Sequence, residues 1–257
     1  MKKILALLSF VLLFIACSED KDDNILPGPT NANISFTFSH NWDGTTINST
    51  NLQTEIVTNE HGEKMSMARI RYLISRLELV NENGDAYLFD DYKFTDLQDE
   101  STYSFTPVNN NIPTGNYTLK FIWGFNETDN IDGAYLDLNS ASWNWPAMLG
   151  GGYHFLQFDG QYNVDTSAPS PFNFHNGTAR VSDGVFEQNF AEINLSTPIT
   201  ITNNATIEVK MNFAEFFKNP NTWDLNVLDT PLMPNYDAQK MMQENVASVF
   251  SIGNITQ

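Results

Sequence analysis

The histidines are the most informative candidates for acid–base or metal-binding chemistry in this chain, because there are only four of them beside a single cysteine. His40 closes the run Ile34-Ser35-Phe36-Thr37-Phe38-Ser39-His40 and falls on the same side of that strand as Ile34, Phe36 and Phe38. His154, in Gly152-Tyr153-His154-Phe155-Leu156, shares its alternation with Leu156 and Phe158. His175 follows Phe172-Asn173-Phe174 and precedes Asn176-Gly177, at a strand end. An imidazole among apolar residues must satisfy its nitrogens, either by hydrogen bonds or by a metal ion. Each of the three is therefore a structural histidine or a ligand, and separation along the chain does not decide which. His61, in Asn59-Glu60-His61-Gly62, sits in a polar turn and reads as exposed.

The most distinctive run is Trp143-Asn144-Trp145-Pro146-Ala147-Met148-Leu149-Gly150-Gly151-Gly152-Tyr153-His154-Phe155. Two tryptophans one residue apart face the same way if the backbone is extended. The glycines free the backbone to turn or to approach a partner closely. A loop tucked over the end of the fold accounts for the tryptophans, but not for so costly a glycine run beside a histidine. The chain has no Gly-rich phosphate loop, no G-x-S-x-G elbow and no H-E-x-x-H. The acid pairs Asp90-Asp91 and Asp99-Glu100 lie in polar sequence and read as solvated faces rather than a glycosidase pair. We expect no enzymatic activity.

The elements that must position these groups are strands. Apolar and polar residues alternate in short stretches bounded by Asn, Gly, Asp and Pro, the period of half-buried strands. Strands are expected at 34–40, at 69–80 with a return at 87–89 after the Asn83-Gly84 turn, and at 117–124. More are expected at 153–159, 180–181, 185–193, 198–201 and 205–213. Residues 214–217 allow a single helical turn. Residues 235–250 carry apolar positions near helical spacing behind Pro234, a C-terminal amphipathic helix whose two methionines read as core filler. The expected class is all-β, a β-sandwich with minor helix.

The first residues give an address. Lys2 and Lys3 precede an apolar stretch, residues 4–16, too short to span a bilayer as a helix, and the segment reads as a signal peptide. Phe14-Ile15-Ala16-Cys17 resembles a lipobox, with Cys17 as the lipidated residue. Two acyl chains anchor stably where one does not. Ser18-Glu19-Asp20-Lys21-Asp22-Asp23 is an acidic tether that also resembles the export signal of Bacteroidetes surface lipoproteins. Residues 1–16 are thus a leader, 17–33 a lipidated tether and linker, and 34–257 a single domain. The expected location is the outer membrane, exposed at the cell surface. The formal charge is −18, which repels phosphate backbones and excludes nucleic acid as a partner.

Trp143 to Gly160, with Met67 to Leu79, Phe174-His175-Asn176-Gly177 and Phe213-Ala214-Glu215-Phe216-Phe217, resembles the MbnP-like family, named for a methanobactin-associated copper-binding member. The resemblance implies mononuclear copper bound by two histidines with help from a tryptophan oxidised to kynurenine, and a di-haem peroxidase partner for that oxidation. Carried onto this chain, His175 is the downstream histidine and His40 the upstream one. His154 is a third ligand or a replacement, and Trp143 or Trp145 is the modified residue. Imidazole suits copper, which heads the divalent affinity order, and zinc could take the same ligands. The alternative is a glycan- or peptide-binding lipoprotein without metal, with the tryptophans of 143–145, Trp42 and Trp123 stacking on sugar rings. A purely structural envelope protein would instead scatter the histidines.

Overall fold

Asn31–Trp42 shows how the alternation becomes a sheet. Ala32, Ile34, Phe36, Phe38, His40 and Trp42 are buried and the residues between them are not, the period of a strand with one face on a core. The computed structural model describes residues 30–89 and 92–257. In it this strand pairs in parallel with Ala205–Asn212, from Ile34↔Ala205 to Asn41↔Asn212. Phe250–Thr256 adds to the far side of Ala205–Asn212, and Thr45–Thr46, Ser104–Phe105 and Asn111–Pro113 pair with Asn31–Trp42.

The second sheet runs in the order Ser170–Asn176, Leu156–Tyr162, Lys64–Asn81, Gly115–Trp123, Ala191–Ile201. Lys64–Asn81 is its spine, 18 residues long, and also pairs with Ile56–Thr58, Ala86–Leu88 and Tyr92–Asp96. The two sheets enclose a core dense in aromatic rings. Phe36 meets Phe89 edge-on at 5.2 Å, Tyr72 stacks on Trp123 at 6.0 Å, and Phe158 meets Phe217 at 5.5 Å. The one-turn helix Phe213–Phe217 contributes four buried residues to that core. Rings of this size dominate core energetics because each buries about 150–250 Å². The protein is an all-β sandwich with minor helix.

Several boundaries differ from the sequence reading. The first strand begins at Asn31, within the stretch read as linker, because Asn31, Ala32 and Asn33 pair with Pro113, Ile112 and Asn111. The stretch 185–193 divides into Val185–Glu187 and the start of Ala191–Ile201. The C-terminal helix is Tyr236–Asn245, capped by the Asn235 side chain on Ala238 N–H. It stops short of Phe250, and Phe250–Thr256 is a strand. Asn245 ends the helix with its amide bonded to the carbonyls of Phe216 and Asn221. Of the two methionines, Met242 is fully buried and Met241 packs against the same core. The leader, Cys17, the tether to Asp23, and Asp90-Asp91 lie outside the described residues.

Candidate metal centre

The register of the second sheet writes a polar ladder on its outer face. Ile70, Tyr72, Leu156, Phe158, Phe172 and Phe174 are buried inward. The residues that alternate with them, Arg69, Arg71, Gln157, Asp159, Asn173 and His175, therefore share the opposite face. Pairing sets Gln157 between Arg71 and His175, and Asp159 between Arg69 and Asn173. The Asp159 carboxylate accepts from Arg69 Nε at 2.7 Å, His175 Nε2 at 2.7 Å and Asn173 Nδ2 at 2.6 Å. Burial alone would raise this carboxyl, but the bonds from His175, Asn173 and Arg69 outweigh it and hold the group well below the usual carboxylate range.

The tryptophan–glycine run folds over this ladder. Trp145 N–H donates to Gly152 carbonyl and His154 N–H to Trp143 carbonyl, each at 2.9 Å, with a bridge between Asn144 and Tyr153 inside that pair. The reversal needs Gly150, Gly151 and Gly152 at φ 113°, 67° and 81°, a region closed to most side chains. A Cβ at Gly152 would also lie 2.3 Å from Asn130 Oδ1. The three glycines are thus a steric requirement of the turn that delivers His154.

His154 was expected on the face of Leu156 and Phe158. The strand begins only at Leu156, and the glycine turn carries the imidazole to the other side. Its ring centre lies 5.4 Å from that of His175 at an interplanar angle of 80°, 5.4 Å from Trp143 and 4.9 Å from Trp145. His154 Nδ1 donates to Trp143 carbonyl at 3.1 Å, which leaves Nε2 as the lone-pair nitrogen. His175 is bound through Nε2 to Asp159, which leaves Nδ1. Neither remaining nitrogen takes a hydrogen bond among the described residues. Burial, with help from the neighbouring His175, Arg71 and Arg69, lowers the His154 pKa to about 3, so the ring is a neutral donor at physiological pH.

His40 is not part of this pair. It sits between the sheets, bonded through Nε2 to the Tyr72 hydroxyl at 3.0 Å and stacked on Phe213 at 5.4 Å. The sheet that carries His175 on its outer face has Tyr72 on its inner one, so that sheet lies between the two imidazoles. His40 Nδ1 is buried without a partner among the described residues, and burial lowers the pKa to about 3. The sequence reading also passed over Asp159, Gln157 and Arg71. Their signal was the alternation itself, since residues 157 and 159 fall on the face opposite Leu156 and Phe158.

A family model, MbnP, matches residues 31–239. The chain belongs to the MbnP family. Among solved structures it is similar to MbnP from Methylosinus trichosporium, at 12% identity and a TM-score of 0.57, over 87% of this chain and 99% of that one. No curated protein matches it.

Two further features of this MbnP-family site bear on its chemistry. All five tryptophans are buried, Trp143 and Trp145 at 0% and 1% exposure, so none offers a face on which a sugar ring could stack. Trp145 Nε1 donates to Leu149 carbonyl at 3.1 Å, whereas Trp143 Nε1 is buried without a partner among the described residues, its ring lying 5.2 Å from the Arg71 guanidinium. An apolar groove of about 510 Å³ reaches His175, lined by Met148, Leu149, Leu232 and Met233 among others.

Proposed function

We propose that this protein binds one copper ion between His154 and His175 at a bacterial outer membrane, held there by lipid on Cys17. The observation that carries the reading is the pair of imidazoles, 5.4 Å apart between centres, each tied through one nitrogen to a fixed acceptor. Two ring nitrogens at about 2 Å from a shared ion fit such a spacing. The Asp159–His175 bond is the carboxylate–histidine arrangement that orients metal ligands and raises their basicity. A site beside Arg71 and Arg69 favours the low-charge Cu(I) state, because burying surplus positive charge is costly. Membership of the MbnP family, whose namesake is copper-binding, supports the same choice of metal.

Trp143 and Trp145 both border His154, and one of them is the residue oxidised in a di-haem peroxidase-dependent step. The apolar groove beside His175 is the route by which the ion enters. The protein acts as a binder, without turnover of its own. Copper quantified on the purified full chain should reach one ion per molecule and fall to background in His154→Ala with His175→Ala. Copper retained by that double variant overturns the assignment. Peptide mass spectrometry of protein from the native host should find a changed mass at residue 143 or 145, and Cys17→Ala should release the protein from membranes.

A further inference from the structure

His61 was read from sequence as an exposed turn residue, yet the fold gives it two acidic neighbours. The turn Asn59–Glu63 joins Ile56–Thr58 to the long strand, closed by Asn59 N–H to Glu63 carbonyl at 3.1 Å, with Gly62 at φ 110°. His61 Nδ1 lies 2.6 Å from Glu63 Oε1, and His61 Nε2 lies 3.6 Å from Asp224 Oδ2. The donor atoms of the three side chains all fall within 4.8 Å of one another.

The two loops are locked together, which distinguishes the cluster from a chance surface ion pair. Asn59 Nδ2 donates to Trp223 carbonyl at 3.2 Å, and Asn226 Nδ2 donates to Glu63 Oε1 at 2.6 Å. Asp224 Oδ1 accepts from Asn226 N–H at 2.9 Å, so only Oδ2 of that carboxylate faces the imidazole. Glu63 is the decisive residue. Its side chain is 3% exposed, and its Oε2 is buried with no partner among the described residues. A buried carboxylate oxygen without a donor is costly, and a bound cation supplies the missing partner. The imidazole is 44% exposed, and a cation bound through Nδ1 would take the place of the proton that this nitrogen shares with Glu63 Oε1.

We propose that His61, Glu63 and Asp224 form a second metal site that takes a divalent cation of the zinc type. One imidazole and two carboxylates with room for water suit zinc, whereas calcium and magnesium prefer oxygen-only shells with more ligands. The site uses no residue of the His154–His175 pair and stands whether or not that pair binds copper.

Zinc ion is the probe, titrated by calorimetry into the full chain in detergent. The His154→Ala/His175→Ala variant serves as background, so that zinc entering the first site does not intrude. One saturable zinc ion should bind there. Adding His61→Ala, or separately Asp224→Asn, should weaken it at least tenfold, with the circular dichroism unchanged. In the otherwise wild-type chain His61→Ala should lower the zinc stoichiometry by one, a reading that does not depend on the double variant folding. No saturable zinc in the background chain, or equal affinity after both substitutions, overturns the site. Calcium competing as well as zinc overturns the imidazole's part in it.

Discussion

Replacing His40 by Gln removes a titrating ring from between the sheets while leaving an amide within reach of the Tyr72 hydroxyl. His40 is 3% exposed, and burial lowers its pKa from 6.5 to about 3. The folded protein keeps this ring neutral at pH values where the unfolded chain protonates it. The unfolded state then binds more protons, so the contribution is fully present above about pH 6.5 and is lost as the pH falls toward 3. Within that window each pH unit costs about 1.4 kcal/mol. Moving from pH 7.5 to 5.0 should therefore take about 2 kcal/mol from the parent through His40 alone. The Gln variant loses the stacking on Phe213 and starts less stable at pH 7.5, a fixed offset. Urea unfolding at pH 7.5, 6.0 and 5.0 reads the difference between parent and variant, which should shrink by about 2 kcal/mol across the series. A constant difference would refute the neutral buried imidazole. Copper stoichiometry should be the same in both proteins, and its loss in His40→Gln would return His40 to the ligand set.

Two substitutions test the supports of the proposed copper pair. Asp159→Asn removes the charge that orients His175 and should weaken Cu(I) affinity by about 10–100-fold in competition against a chelator. Unchanged affinity would show that the carboxylate does not act through His175. Gly177→Ala places a Cβ 2.5 Å from the Trp145 ring. It should destabilise the fold by about 1–3 kcal/mol in urea and displace the indole that borders His154, so an unaltered melt with intact copper binding would contradict the packing.

The sheet class was legible in the sequence because alternation is local. Ile34 to His40 exposes its period in seven residues, and burial follows it position by position in the folded strand. The Asn83-Gly84 turn and the return after it are local in the same sense, with Ala86–Leu88 pairing back on Glu78, Leu79 and Val80. The strand at Phe250–Thr256 was hidden because apolar spacing that continues a helical period for another turn does not announce where the chain stops. That stop depends on Asn245 reaching Phe216 and Asn221, contacts across 29 and 24 residues.

The functional residues divide along the same line. The types were visible, since the chain has only four imidazoles and the glycine run beside His154 demanded a reason. Which imidazoles meet was not, because an imidazole's face depends on where its strand begins. Starting the strand at Leu156 rather than Tyr153 sends His154 to the outer face with His175, while unbroken alternation keeps His40 in the core. Glu63 and Asp224, far apart in the chain, meet His61 only because Asn59 and Asn226 tie their loops together. Sequence alone determined the kinds of donor and the periodicity that buries or exposes them. Tertiary structure decided which donors share an ion-sized space, since that follows from register and loop closure between distant segments rather than from neighbouring residues.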